Sequence, residues 1–306
     1  MDPLALADRT ARSFALTLRL LPGPTRAEVC LAYLAARLTD SVADTTSLAA
    51  ADRLSLLDAL RDAIDVEGPW PAAELSHLAT VHDHPGEMAL LSEHAELESA
   101  LRGLEADARD RVRRVLLTIV SGQRLDLVRL MEGAFTLADE AALVDYTWRV
   151  AGCVGGFWTE VLAARLPGSI LLPEGELAML GRRYGQGLQL LNILRDAPED
   201  WLAGRCYLPA DVGETVPPSP PDAQGLEICY QRMRNWLPQC REWIDDGIRY
   251  GEALRGIRVR AASRLPAIIG HRTLDRIETS DFQAWRQRIR IPRHDVRRAL
   301  FEAMVG

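Results

Sequence analysis

Gly185 to Pro209, GQGLQLLNILRDAPEDWLAGRCYLP, is the stretch whose reading decides the fold. From Leu188 onward apolar residues recur at helical spacing, and Gln189, Asn192 and Asp196 interrupt them so that the three polar side chains share one flank. Asp200 follows one turn after Asp196. Two carboxylates so placed repel each other unless positive charge sits between them, and a hard divalent cation is the natural filler, because it takes oxygen ligands and keeps positions open for a phosphate-bearing substrate. The alternative is a solvated helix end with acidic residues by chance. Pro198 lies between the two carboxylates, removes one helical hydrogen bond and disfavours the helical region for Ala197; it predicts a kinked or loosened helix and makes Asp196 the firmer ligand.

A second copy strengthens the cation reading. Arg37 to Asp44, RLTDSVAD, carries Asp40 and Asp44 at the same spacing, with Arg37 one turn earlier on the same face. Two such pairs on two helices facing one cavity would form a multi-cation site able to hold a diphosphate. Asp40 as a helix cap is the other option, but its mid-helix position suits a cap poorly.

The 306 residues can bury a sizeable core, with no break clear enough to divide 1–306 into separate domains. Apolar residues make up 48%, aromatics are few, and Ala, Leu and Arg run on without β-branched alternation, so the chain reads as all-α. A net charge of −7 argues against a general nucleic-acid binder. Every fixed side-chain cation is arginine, since lysine is absent, so any phosphate contact uses a planar, bidentate fork. Five cysteines without paired spacing fit buried, reduced thiols, and the N-terminal residues lack a secretory pattern, so a cytoplasmic location is expected.

In chain order, residues 8–22 read as a short helix with Arg12 and Ser13 near its start, followed by helices over 25–44 and 50–64. His82, Asp83 and His84 resemble metal ligands but precede Pro85 and Gly86, which fits a loop or helix start. Helices follow over 87–102 and 106–131, the latter punctuated by Gln123 and Asp126 as site or packing polars. Residues 138–164 contain DYTWRVAGCVGGFW, whose Gly152, Gly155 and Gly156 lack the spacing of a dinucleotide loop and point to close helix packing or an apolar substrate alongside. Tyr146 in that block is a core tyrosine or a catalytic hydroxyl. After a proline-rich loop at 212–224, helices span 225–254 and 258–276, and a basic final helix is either solvated or in touch with an anionic membrane surface.

ARSFALTLRLLP, YLAARLTDSVADT, DYTWRVAGCVGGFW and GLQLLNILRDAPEDWLAGRCYLP resemble, in order, the signature blocks of the squalene/phytoene synthase family, and RVRAASRLPAIIGHRTL and IPRHDVRRAL are most like its bacterial squalene synthase members. The resemblance implies a single-domain isoprenoid-synthase helical fold with a central cavity. It implies a prenyltransferase that joins two farnesyl diphosphates head to head through presqualene diphosphate, with NADPH-dependent reduction to squalene. By the same resemblance Asp40, Asp44, Asn192, Asp196 and Asp200 hold magnesium, with Gln189 beside the second pair. Arg12, Ser13, Arg37, Arg205 and Tyr207 approach the diphosphate, and Tyr146 handles a proton. Gly156 and Gln186 depart from it, standing where larger or charged residues are expected. Alternatives within the fold are a phytoene- or dehydrosqualene-type synthase without the reduction, prenyl transfer to another acceptor, and a non-catalytic assembly factor. Peripheral membrane contact for release of an apolar product is a further expectation.

Overall fold

The computed structural model describes residues 2–10, 14–133, 136–210, 223–287 and 289–305, and among these there is helix but no strand. By internal contacts the chain forms two compact units, Met1–Glu132 with Phe157–Ile170, and Gly133–Gly156 with Leu171–Gly306. No described helix is long and apolar enough to cross a membrane. Four of the five cysteines, Cys30, Cys206, Cys229 and Cys240, are buried.

The first unit holds α1 (Pro3–Thr10), α2 (Phe14–Leu20), α3 (Gly23–Asp44), α4 (Ala50–Asp65), α5 (Ala72–Val81), α6 (Pro85–Ser92), α7 (His94–Arg102) and α8 (Ala106–Glu132). Helix α3 starts on Pro22, Gly23 and Pro24, where a proline costs no hydrogen bond, and packs on α4 and α8, with Val29, Leu31, Leu34, Leu38 and Val42 buried. The helix expected over 87–102 is two, broken at Glu93, and α5 is a helix that the sequence reading did not place. The expected 8–22 helix likewise corresponds to α1 and α2, with residues 11–13 outside the described set.

A buried ion pair ties this unit together. Glu28, 2% exposed, accepts from Arg111 Nε at 2.8 Å and from its second nitrogen at 3.1 Å, and Arg165 Nε donates to the same carboxylate at 3.2 Å. Removing one member of a buried pair strands the other charge, so Glu28→Ala is expected to cost about 3–5 kcal/mol by urea denaturation, whereas Glu28→Met with Arg111→Leu recovers most of that loss.

The second unit holds α9 (Glu140–Thr147), a π-helical turn (Trp148–Gly152), the start of α10 (Cys153–Arg165), then α11 (Glu174–Leu202), α12 (Ala223–Glu252), α13 (Ile257–Thr279), α14 (Phe282–Trp285) and α15 (Arg293–Val305). The glycines of 152–155 serve close packing. A Cβ on Gly155 would lie 1.8 Å from the Gly181 carbonyl oxygen, and one on Gly185 would lie 2.3 Å from that of Ala151. Two backbones thus touch along a seam, Gly181-x-x-x-Gly185 of α11 against Ala151 to Gly155, where any side chain would intrude. On another face, Gly187 lets α12 approach at Trp243. Helix α11 does not break at Pro198 but continues to Leu202. The Leu194 carbonyl, which faces no N–H at position 198, meets Trp285 Nε1 at 3.0 Å.

Candidate active site

Asp40 and Asp44 sit in the last two turns of α3, and with Arg37 they fall within an arc of about 60° at 100° per residue. Arg37 bridges Asp40 to Glu87 of α6, and Glu87 in turn meets His82 Nε2 at 3.1 Å. The 82–84 histidines thus stand at a helix start, with His84 as the N-cap of α6, and His82 belongs to this charged cluster. Burial, then the charge of Asp44, pushes the Asp40 carboxyl up to about 7 although Arg37 pulls it down. Burial lowers the Arg37 guanidinium, but Asp40 and Glu87 outweigh it and hold it above its ordinary value.

On α11, Gln189, Asn192, Asp196 and Asp200 fall within an arc of about 80°. Asn192 is exposed, while the other three are half-buried. Arg195 grips Asp196 with both nitrogens of its fork, Nε donating to Oδ1 at 2.7 Å. Beyond the helix, Gly204 takes a φ of +75°, which lets the chain turn back so that the Arg205 amide donates to the Asp200 carbonyl at 2.8 Å. The Arg205 side chain then stands 3.5 Å from the Asp200 carboxylate.

Tyr146 and Tyr207 come together as a stacked pair, centroids 4.9 Å apart and both buried. Buried Gln186 donates from Nε2 to the Val144 carbonyl at 3.0 Å and so fixes α9, which carries Tyr146, on α11. That contact accounts for a glutamine where the family resemblance led to expect otherwise. Gln123 is buried in α8 and Asp126 pairs with Arg129 at 3.0 Å. Arg12 and Ser13 lie outside the described residues. A cleft of about 720 Å³ lined by Trp148, Trp236, Trp243 and Arg182 contains none of the expected site residues. Sequence reasoning missed Arg195 and Glu87; neighbours in sequence do not ordinarily face each other on a helix, and Glu87 is far along the chain.

The donors fit magnesium. They are carboxylate and amide oxygens, and an Asp40 carboxyl raised to about 7 beside an arginine still lacks positive charge. Among the described residues no three His, Cys, Asp or Glu side chains converge as a metal cage.

A presqualene diphosphate synthase from Rhodopseudomonas palustris is 30% identical over 200 residues, which cover 65% of this chain and 59% of that protein, little more than half its length. Among solved structures, TcSQS in complex with the ligand BPH1237 matches with a TM-score of 0.79 at 19% identity, covering 99% of this chain and 85% of that one. A dehydrosqualene synthase in complex with a ligand matches with a TM-score of 0.63 at 18% identity, covering 98% and 93%. At such identities the likeness is one of fold, the all-α isoprenoid-synthase architecture. The model of the squalene/phytoene synthase family matches residues 7–295, and the chain belongs to that family.

Proposed function

We propose that this chain is a magnesium-dependent prenyltransferase that joins two farnesyl diphosphates head to head into presqualene diphosphate and carries that product on to squalene with NADPH. One observation supports the reading above others: each unit presents two aspartates one helical turn apart, with an arginine already on a member of each pair. Asp40 and Asp44, and Asp196 and Asp200 with Asn192, would hold the metal, with Gln189 beside them. When bound, magnesium supplies positive charge to the departing diphosphate.

The chain's own residues do the rest. Arg37 and Arg205 offer planar forks to the diphosphate oxygens as the bond from C1 of the first substrate breaks and its electron pair leaves with the diphosphate. The double bond of the second substrate attacks that carbon, and loss of one proton closes the cyclopropane ring. Tyr146, stacked on Tyr207, is placed to handle that proton. NADPH use follows from the resemblance alone: the glycines of 152–155 are filled by α11 and form no dinucleotide cradle, so no step is assigned to residues around it.

Incubation of purified protein with farnesyl diphosphate and magnesium, with and without NADPH, tests the proposal by mass spectrometry of the extracted products. Squalene is expected only with NADPH. Dehydrosqualene in both arms would place the chain on the non-reducing branch. Presqualene diphosphate accumulating in both would give it the activity for which the Rhodopseudomonas relative is named. No consumption of substrate would overturn the reading.

A further inference from the structure

Pro198 has no N–H, so the Leu194 carbonyl one turn earlier loses the partner that an uninterrupted helix would provide. That carbonyl is not left bare. Trp285 Nε1 donates to it at 3.0 Å in a fully buried contact made from 91 residues away. The indole is itself held in place: Asp281 caps α14 by accepting from the Ala284 amide at 2.8 Å, and Tyr230 and Phe282 pack around the Trp285 ring with centroids at 5.3 and 6.3 Å. Tyr230 in turn donates its hydroxyl to the Ser280 carbonyl at 2.9 Å.

The position of this contact gives it meaning. Leu194 and Pro198 are buried on the back of α11, and at 100° per residue Asp196 and Asp200 each stand about 160° from Pro198, on the opposite face. The weak point of the helix therefore lies midway between the two carboxylates. We infer that Trp285 is a positioning residue for the Asp196–Asp200 pair: its indole replaces the hydrogen bond removed by Pro198 and fixes the helical spacing through which the pair would bind magnesium diphosphate. The inference rests on the proposed function for its ligand and on the Leu194 contact for its mechanism.

Four proteins test it: wild type, Trp285→Phe, Pro198→Ala and the double variant. Restoring an N–H at position 198 supplies the Leu194 carbonyl from within the helix, so Pro198→Ala makes the indole donor redundant. The readouts are calorimetric binding of inorganic pyrophosphate in the presence of magnesium, and amide hydrogen exchange over residues 195–202. Trp285→Phe is expected to weaken magnesium-dependent pyrophosphate binding about 10-fold, as loss of an orienting partner does at metal sites, and to speed exchange in that segment. The double variant is expected to return to within about twofold of Pro198→Ala in both, which a mere packing defect would not do, because the lost aromatic volume is still missing. Should Trp285→Phe fold poorly, comparison of the double variant with Pro198→Ala decides the matter: equal binding supports the inference and a persistent deficit overturns it. Wild-type-like binding and exchange in Trp285→Phe would also overturn it while leaving the proposed function standing. A wild type that binds no pyrophosphate with magnesium would remove the proposed function and this role together.

Discussion

Asp196→Asn is expected to lower kcat for prenyl diphosphate consumption by about 10²–10³-fold, the usual cost of removing one charged group that stabilises a transition state. The replacement keeps the shape of the side chain and its place on the same arc as Gln189, Asn192 and Asp200, so the loss reports charge rather than packing. Arg195 loses its bidentate carboxylate as well, but it lies at the half-buried edge of the helix and can turn to water. A thermal unfolding midpoint within a few degrees of wild type is therefore expected beside the catalytic loss. Asp40→Asn is expected to behave alike in the first unit. If both variants turn over substrate at the wild-type rate, the carboxylates are not metal ligands.

The second large effect is on stability. Gly155→Ala would place a methyl carbon 1.8 Å from the Gly181 carbonyl oxygen, an atom of helix backbone that no rotamer change can remove. Overpacking in a core costs about 1–3 kcal/mol where side chains can yield. Here the helices must separate, and about 3 kcal/mol or more is expected from the denaturant midpoint. The adjacent glycine is the control: nothing lies within 4 Å of a Cβ on Gly156, so Gly156→Ala gains helix propensity of up to about 1 kcal/mol. Opposite signs at neighbouring positions would identify the seam; equal losses would mean that the helix dislikes any change there.

How much of this was legible in sequence depended on whether local periodicity carried the information. The 3.6-residue repeat placed Arg37, Asp40 and Asp44 on one arc and Gln189, Asn192, Asp196 and Asp200 on another, because those relations lie inside single helices. The stacked tyrosines required the family resemblance, since nothing in the spacing of Tyr146 and Tyr207 brings them together. Glu87 was invisible because its contact with Arg37 is tertiary. The donor that meets the Leu194 carbonyl opposite Pro198 was invisible for the same reason, because it belongs to a distant helix. At residues 87–102 the apolar pattern ran through Glu93 while the backbone did not, a boundary to which periodicity is blind.

The glycine seam also acts as a ruler. Asp196 lies eleven residues beyond Gly185, three helical turns that return to within about 20° of the same azimuth, so the carboxylate face and the seam share one side of α11. Inserting a single residue between Gly185 and Asp196 would leave the seam docked and swing Asp196 and Asp200 by about 100° around the helix. Inserting four would nearly restore their direction, at the cost of moving them about 6 Å along the axis. Length changes in this segment are therefore tolerated by the fold on different terms from those on which the carboxylates tolerate them.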